Sequence, residues 1–214
     1  MIQLEVWGEY ACFSRPELKI ERVSYEVPTP SAARGIVEAI YFHPGLRWHI
    51  DKIYILSPPR FTNIRRNEVK SKILGSAVRG ALQGDKKELY LATPQEIVQR
   101  AAMVLQDVHY VIEAHFTMTD KAAPGDNPGK FQDIVTRRME RGQSFHGPYL
   151  GCREFPARFR KWRGGPIPTI DETRDLGFML YDMDYTNPEN ITPMFFHAKL
   201  ENGVLNTADC EVFR

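Results

Sequence analysis

The segment VHYVIEAHF, residues Val108 to Phe116, alternates. On a strand, successive side chains point to opposite faces. Tyr110, Ile112, Ala114 and Phe116 therefore make an apolar face suited to a core. The other face brings two imidazoles and a carboxylate, His109, Glu113 and His115, close together. A metal site there needs two or three ligands converging at about 2 Å on one ion. His109 and His115 lie three two-residue steps apart, roughly 20 Å along a strand rising ~3.3 Å per residue. Only Glu113 and His115 are neighbours, so we expect no metal and no cofactor. One imidazole with a pKa near neutrality is enough for proton transfer. A half-buried histidine that is simply hydrogen-bonded is the other role this position allows.

Working outward, MIQLEVWGEY alternates through about Cys12 and reads as a first strand. Thr29 or Ser31 can cap a helix over about Ala32 to Phe42, with Ile36, Val37 and Ile40 buried, and His43-Pro44-Gly45 stops it. Trp48 to Leu56 is a second strand. From Arg60 to Leu89 the chain turns basic and loses its apolar period, which reads as a solvated excursion or mobile loop. After VHYVIEAHF, KAAPGDNPG is a loop, and Lys130 to Arg141 is a helix with Phe131, Ile134, Val135 and Met139 inward, ended by Gly142. YLGCREFPARF reads as a further strand, and LGFMLYDMDY and ITPMFFHAKLENGVL as strands with a hairpin turn at Glu201-Asn202-Gly203. The expected fold is α+β. Its amino-terminal domain, residues 1–145, is ferredoxin-like, the RNA-recognition type, with the basic insertion at 60–89. Residues 146–214 form a small β-rich carboxy-terminal part.

Composition narrows the functions. The 28 Lys+Arg against 27 Asp+Glu leave a net charge of +1, so any nucleic-acid surface must be local. Basic clusters do occur: Arg65, Arg66, Lys70 and Lys72; Arg137 and Arg138; Arg153 and Arg158, the last pair among Tyr149, Phe155, Phe159 and Trp162. Phosphate neutralisation with base stacking calls for that mixture. Three scattered cysteines suit a reducing cytoplasm, and no apolar run reaches the ~18 residues of a membrane span. Phosphate-binding, dinucleotide-binding and nucleophile-elbow motifs are absent from the sequence.

Four blocks in order, WGEYACFSRPELKIERVSYEVPTPSAARGIVEAIYF, FTNIRRNEVKSKI, VHYVIEAHF and LGCREFPARF, resemble the CRISPR-associated Cas-five family, subtype I-C. The resemblance implies metal-independent cleavage of CRISPR precursor RNA at the base of each repeat hairpin. It implies retention on the 5′ handle of the guide RNA, among the other Cascade subunits of that subtype. It also implies a tyrosine at the end of the first helix, a lysine, and a histidine on the strand after the basic excursion, which itself matches a hairpin reaching along guide RNA. Tyr41 in EAIYF and His115 in EAHF match the tyrosine and histidine. Where the family has lysine just before the histidine, this chain has Glu113-Ala114, and Lys121 or a lysine of the excursion is the candidate substitute. The alternative reading is a non-catalytic subunit that caps the guide handle.

Overall fold

The alternation of VHYVIEAHF belongs to a far longer strand. In the computed structural model, which describes residues 1–18, 20–84 and 88–214, Ile97–Met118 is one strand of 22 residues. Residues 85–87 of the basic excursion lie outside the described residues. In chain order the elements are β1 (Ile2–Ala11), β2 (Arg22–Val23), α1 (Pro30–Ile40), β3 (Leu46–Ile55), β4 (Arg60–Val69), α2 (Gly75–Leu82), α3 (Thr93–Glu96) and β5 (Ile97–Met118). Then come α4 (Pro128–Arg141), β6 (Arg158–Lys161), β7 (Arg174–Asp184), β8 (Thr192–Glu201), β9 (Val204–Asn206) and β10 (Val212–Phe213). The chain divides into two compact units, residues 1–62 with 103–214, and residues 63–102.

In the larger unit the sheet is antiparallel and runs β10-β8-β9-β3-β5-β1-β6, with β7 on β8. Two helices cover one face. Thr29 accepts from the Ala32 amide at 3.1 Å and Pro30 fills the first turn of α1, where no amide is needed. Ala33, Ile36, Val37, Ala39 and Ile40 then point inward. In α4, Asn127 caps the Lys130 amide, and Gly142 ends the helix at φ 63°, a conformation that favours glycine. Phe131 of α4 meets Phe116 of β5 at 6.2 Å between ring centroids, and Phe116 meets Trp48 of β3 at 5.3 Å. Ile112, Ala114, Leu4, Val6, Ile53 and Ile55 fill this layer and are buried. Each such large aliphatic side chain contributes about 1.5–3 kcal/mol. The apolar face of the opening stretch is the core, as its alternation predicts.

β3 changes phase part-way. Leu46, Trp48 and Ile50 face the helices before residue 51, and Ile53 and Ile55 after it. The pairing with β5 shifts between Ile50 and Lys52, a β-bulge that places one extra residue opposite its partner. The carbonyls freed there are taken up by Thr207, whose hydroxyl donates to Ile50 O (2.7 Å) and whose amide donates to Asp51 O (2.9 Å).

Two expectations need correction. Arg60–Val69 is a strand, not a loop: β4 pairs with β5, and Lys70 N donates to Glu96 O at 2.8 Å. In the smaller unit neither face of this ribbon reaches a core, because its residues alternate only between exposed and half-exposed. It therefore needs no apolar period, and α2 follows it. In YLGCREFPARF only Arg158 onward is strand. The rest is a turn closed by the bridge Tyr149↔Pro156, with Gly151 at φ 82°. A Cβ on Gly151 would come within 2.1 Å of Cys12 O. Among the described residues no helix is long and apolar enough to cross a membrane.

Candidate active site

The sheet face away from α1 and α4 carries the polar residues of β1, β3, β5 and β6. At one end, His115 pairs across the sheet with His49. Its Nδ1 lies 2.8 and 2.9 Å from the two carboxylate oxygens of Asp51. A carboxylate oxygen accepts, so Nδ1 is the donor in this contact, and in the neutral imidazole Nε2 then carries the lone pair. The His115 side chain is 46% exposed, so a substrate can reach it. The His49 ring stacks on it, with centroids 5.0 Å apart and planes 13° from parallel, and His49 Nε2 meets Thr117 Oγ1 at 2.9 Å. Burial, and after it the neighbouring His115 imidazole, hold the His49 pKa below the ordinary histidine value. The pair thus has one imidazole biased neutral and one backed by a carboxylate.

Two residues along β5, Glu113 is buried but well partnered. It accepts from Gln3 Nε2 (2.8 Å) and from the Tyr54 hydroxyl (3.2 Å), and Lys52 Nζ lies 3.9 Å away. Lys52 is the cross-strand partner of Glu113. Adjacent residues on a regular strand face opposite ways, yet Asp51 reaches His115 and Lys52 reaches Glu113 on the same face. The bulge makes this possible. Asp51, Lys52 and His49 escaped the sequence reading because they act through cross-strand register. The signal was present in LRWHIDKIYI, where Arg47, His49 and Asp51 alternate with apolar residues.

Tyr41 sits elsewhere. It caps α1, is 6% exposed, and packs its ring against Phe131 (6.0 Å) and under the Arg138 guanidinium (5.1 Å). Burial raises its phenol pKa and keeps it protonated, with Asp126 adding to the effect and Arg138 opposing it. Phe131 is the neighbour of Phe116, so Tyr41 lies on the helix side of the sheet and His115 on the other. Among the described residues the two share no hydrogen bond, ion pair or ring contact. Lys121 lies in the turn after β5, exposed, its amide donating to Thr119 Oγ1 at 3.3 Å. Among the described residues, no group of three or more His, Cys, Asp or Glu could hold a metal ion.

The basic residues divide by environment. Arg65, Lys70 and Lys72 are exposed in the smaller unit, where Arg66 pairs with Glu68 (3.6 Å). Arg138 donates to Ile40 O at 2.6 Å, completing the end of α1, while Arg137 is exposed. Arg153 is exposed in the turn before β6, and Arg158 is exposed on β6 opposite Trp7.

Comparison with known proteins gives the family. The Cas5d family model, described as CRISPR-associated protein (Cas_Cas5), matches residues 1–207. The chain belongs to the Cas5d family. It is 49% identical over 212 residues to the CRISPR pre-crRNA endoribonuclease Cas5d of Mannheimia succiniciproducens, covering 96% of this chain and 93% of that one. It is 38% identical over 221 residues to the protein of the same description from Thermus thermophilus, covering 95% and 90%. Two solved structures share the fold over 100% of this chain and 96% of theirs. One is a CRISPR-associated protein (TM-score 0.70, 22% identity), the other a functionally uncharacterized protein from Streptococcus mutans (TM-score 0.68, 21% identity).

Proposed function

We propose that this chain is an endoribonuclease that cuts CRISPR precursor RNA at the base of the repeat hairpin without a metal. It then stays on the guide 5′ handle as a subunit of a type I-C Cascade complex. Relatives at 49% and 38% identity described as pre-crRNA endoribonucleases support the activity and substrate. The order β3-β5-β1-β6 with α1 and α4 on one face supports a ferredoxin-like reading of the core.

The observation that carries the mechanism is His115, a half-exposed imidazole with Nδ1 on Asp51. In this reading Nε2 accepts the proton of the ribose 2′-OH, and the oxygen attacks the adjacent phosphorus. The bond from phosphorus to the 5′-oxygen breaks, leaving a 2′,3′-cyclic phosphate and a 5′-hydroxyl. The Lys52 ammonium is the cation on the same face beside Glu113, so it balances phosphate charge and supplies the proton to the leaving oxygen. It replaces Lys121 in our reading, because Lys52 pairs across from Glu113 whereas Lys121 sits in the turn beyond the strand. Tyr41, protonated and packed under the helices, contributes from a separate position and by a smaller factor. Arg65, Arg66, Lys70, Lys72, Arg137, Arg153 and Arg158 hold phosphates. The absence of a lysine at Glu113-Ala114, just before His115, favours a second reading, a guide-handle cap without catalysis.

Incubation with the chain's own repeat RNA in EDTA separates the two readings. Cleavage should persist, and a single deoxyribose 5′ of the scissile phosphate should abolish it. Cutting of the deoxy substrate would mean that water is the nucleophile, and intact RNA throughout would leave only the cap.

A further inference from the structure

A cleft of about 850 Å³ lies on the helix-free face, toward the β6 side of the sheet. Its floor is an aromatic pair on the two central strands. Trp7 of β1 and His109 of β5 are register partners, and their rings meet edge to face at 6.0 Å. Around them stand Tyr10, Phe155, Arg158 and Arg160. Nothing in the cleavage chemistry uses this pair.

The cleft is built and held in place. Glu5, buried beneath it, takes a two-point contact from Arg160 (Nε to Oε2 at 2.5 Å, Nη2 to Oε1 at 2.8 Å) and a further contact from His109 Nε2 at 2.9 Å. The Arg160 hydrogen bonds, opposed by burial and aided by His109, hold the Glu5 pKa below the usual carboxylate range. Arg160 is thereby fixed over the indole, 5.3 Å from the ring centre. The orientation of Trp7 is set before any ligand arrives, which removes part of the ordering cost of binding. Of the four carboxylates lining the cleft, Glu9 is exposed and the other three are paired. Glu5 is paired as described, Asp107 with Arg60 at 2.8 Å, and Glu154 with Arg22 at 3.5 Å. Arg158, opposite Trp7 in register, makes no ion pair among the described residues.

A pre-set indole, a second ring beside it and an uncommitted guanidinium at the rim form the combination that binds unpaired nucleotides. Every base has a π-face, and a stacked base contributes about 1–3 kcal/mol in such sites. We propose that this cleft is a stacking subsite for an unpaired nucleotide of single-stranded RNA, its base against Trp7 and its phosphate on Arg158. The inference rests on RNA being the ligand of this chain but not on any cleavage step. It places single-strand binding on the same sheet face as His115, so the helix-free face reads RNA along its width.

The test is equilibrium binding of an unstructured eight-nucleotide RNA, followed by fluorescence anisotropy at two salt concentrations. Trp7→Leu should raise Kd about tenfold, which 1.4 kcal/mol of lost stacking produces. Trp7→Phe, which keeps a π-face, should restore most of the affinity. Arg158→Ala alters only an exposed side chain and should lower the salt slope by about one counterion. Wild-type affinity in Trp7→Leu together with an unchanged slope in Arg158→Ala would overturn the subsite. The outcome is independent of the nuclease reading. Trp7-dependent binding by a protein that cuts no repeat RNA keeps the subsite and removes the nuclease. Cleavage with Trp7-independent binding does the reverse.

Discussion

The two faces of β5 are made from alternate residues of one stretch, yet they obey different rules. On the helix side, Tyr110, Ile112 and Ala114 are buried and Phe116 packs against Trp48 and Phe131, so fit counts toward stability. On the other side, His109, Glu113 and His115 each answer to a charged or hydrogen-bonding residue on a neighbouring strand. A core position depends on volume, whereas a position on the open face depends on which partner the register brings opposite. Mutations on the two faces should therefore fail in different assays.

The sharpest contrast is between two near neighbours. His115→Ala should cut the cleavage rate by ~10²–10⁴-fold, as expected for loss of an acid–base group. Its denaturant midpoint should stay close to wild type, because the side chain is half exposed. Ile112→Ala, on the opposite face and fully buried, should destabilise by ~2–5 kcal/mol and leave the folded fraction competent to cut. If His115→Ala unfolds while cutting normally per folded molecule, the assignment of the faces is wrong.

Tyr41→Phe probes the helix side more gently. It removes one hydroxyl, keeps the ring between Phe131 and Arg138, and should slow cleavage less than His115→Ala does. A loss as large as that of His115→Ala would require the two residues to act on one phosphate from opposite sides of the sheet. That outcome would break the comparison.

The smallest effect concerns pH. The Glu5 carboxyl is held low by Arg160 first, with His109 beside it, so the folded state binds fewer protons there than the unfolded chain. The resulting stability is fully present above the ordinary glutamate value of about 4.3 and is lost as pH falls through the lower folded value. Thermal melts of wild type and Glu5→Gln should therefore differ most at neutral pH and converge on acidification. A gap that does not narrow below pH 4 would mean that Glu5 acts through packing alone.

Much of this is readable in the amino-acid sequence. Thr29 or Ser31, of which Thr29 is the cap, and Gly142 marked helix ends by local chemistry, and the alternation of VHYVIEAHF separated core from open face without knowledge of its neighbours. The residue pattern alone hid β4, because a ribbon without a core needs no apolar period and RFTNIRRNEV has none, although the family resemblance implies a hairpin there. In YLGCREFPARF, residues suited to a strand are bent into a turn by the close approach of Gly151 to Cys12. The partners of His115 were hidden for another reason. Asp51 and His49 lie more than sixty positions away in the chain, and only register brings them alongside.

The bulge at Asp51 carries a consequence for how this chain can vary in length. Replacing Asp51 by another residue removes a partner from His115 and leaves the backbone alone. Deleting it is a different event, because β3 would lose the frame shift between its two halves. Either Leu46, Trp48 and Ile50 or Ile53 and Ile55 would then be turned out of the core toward water. Thr207, far along the chain, would lose the carbonyls it binds. At this one position a missing codon does more damage than any missense change, and β3 has a fixed length for the same reason that its two polar neighbours share a side.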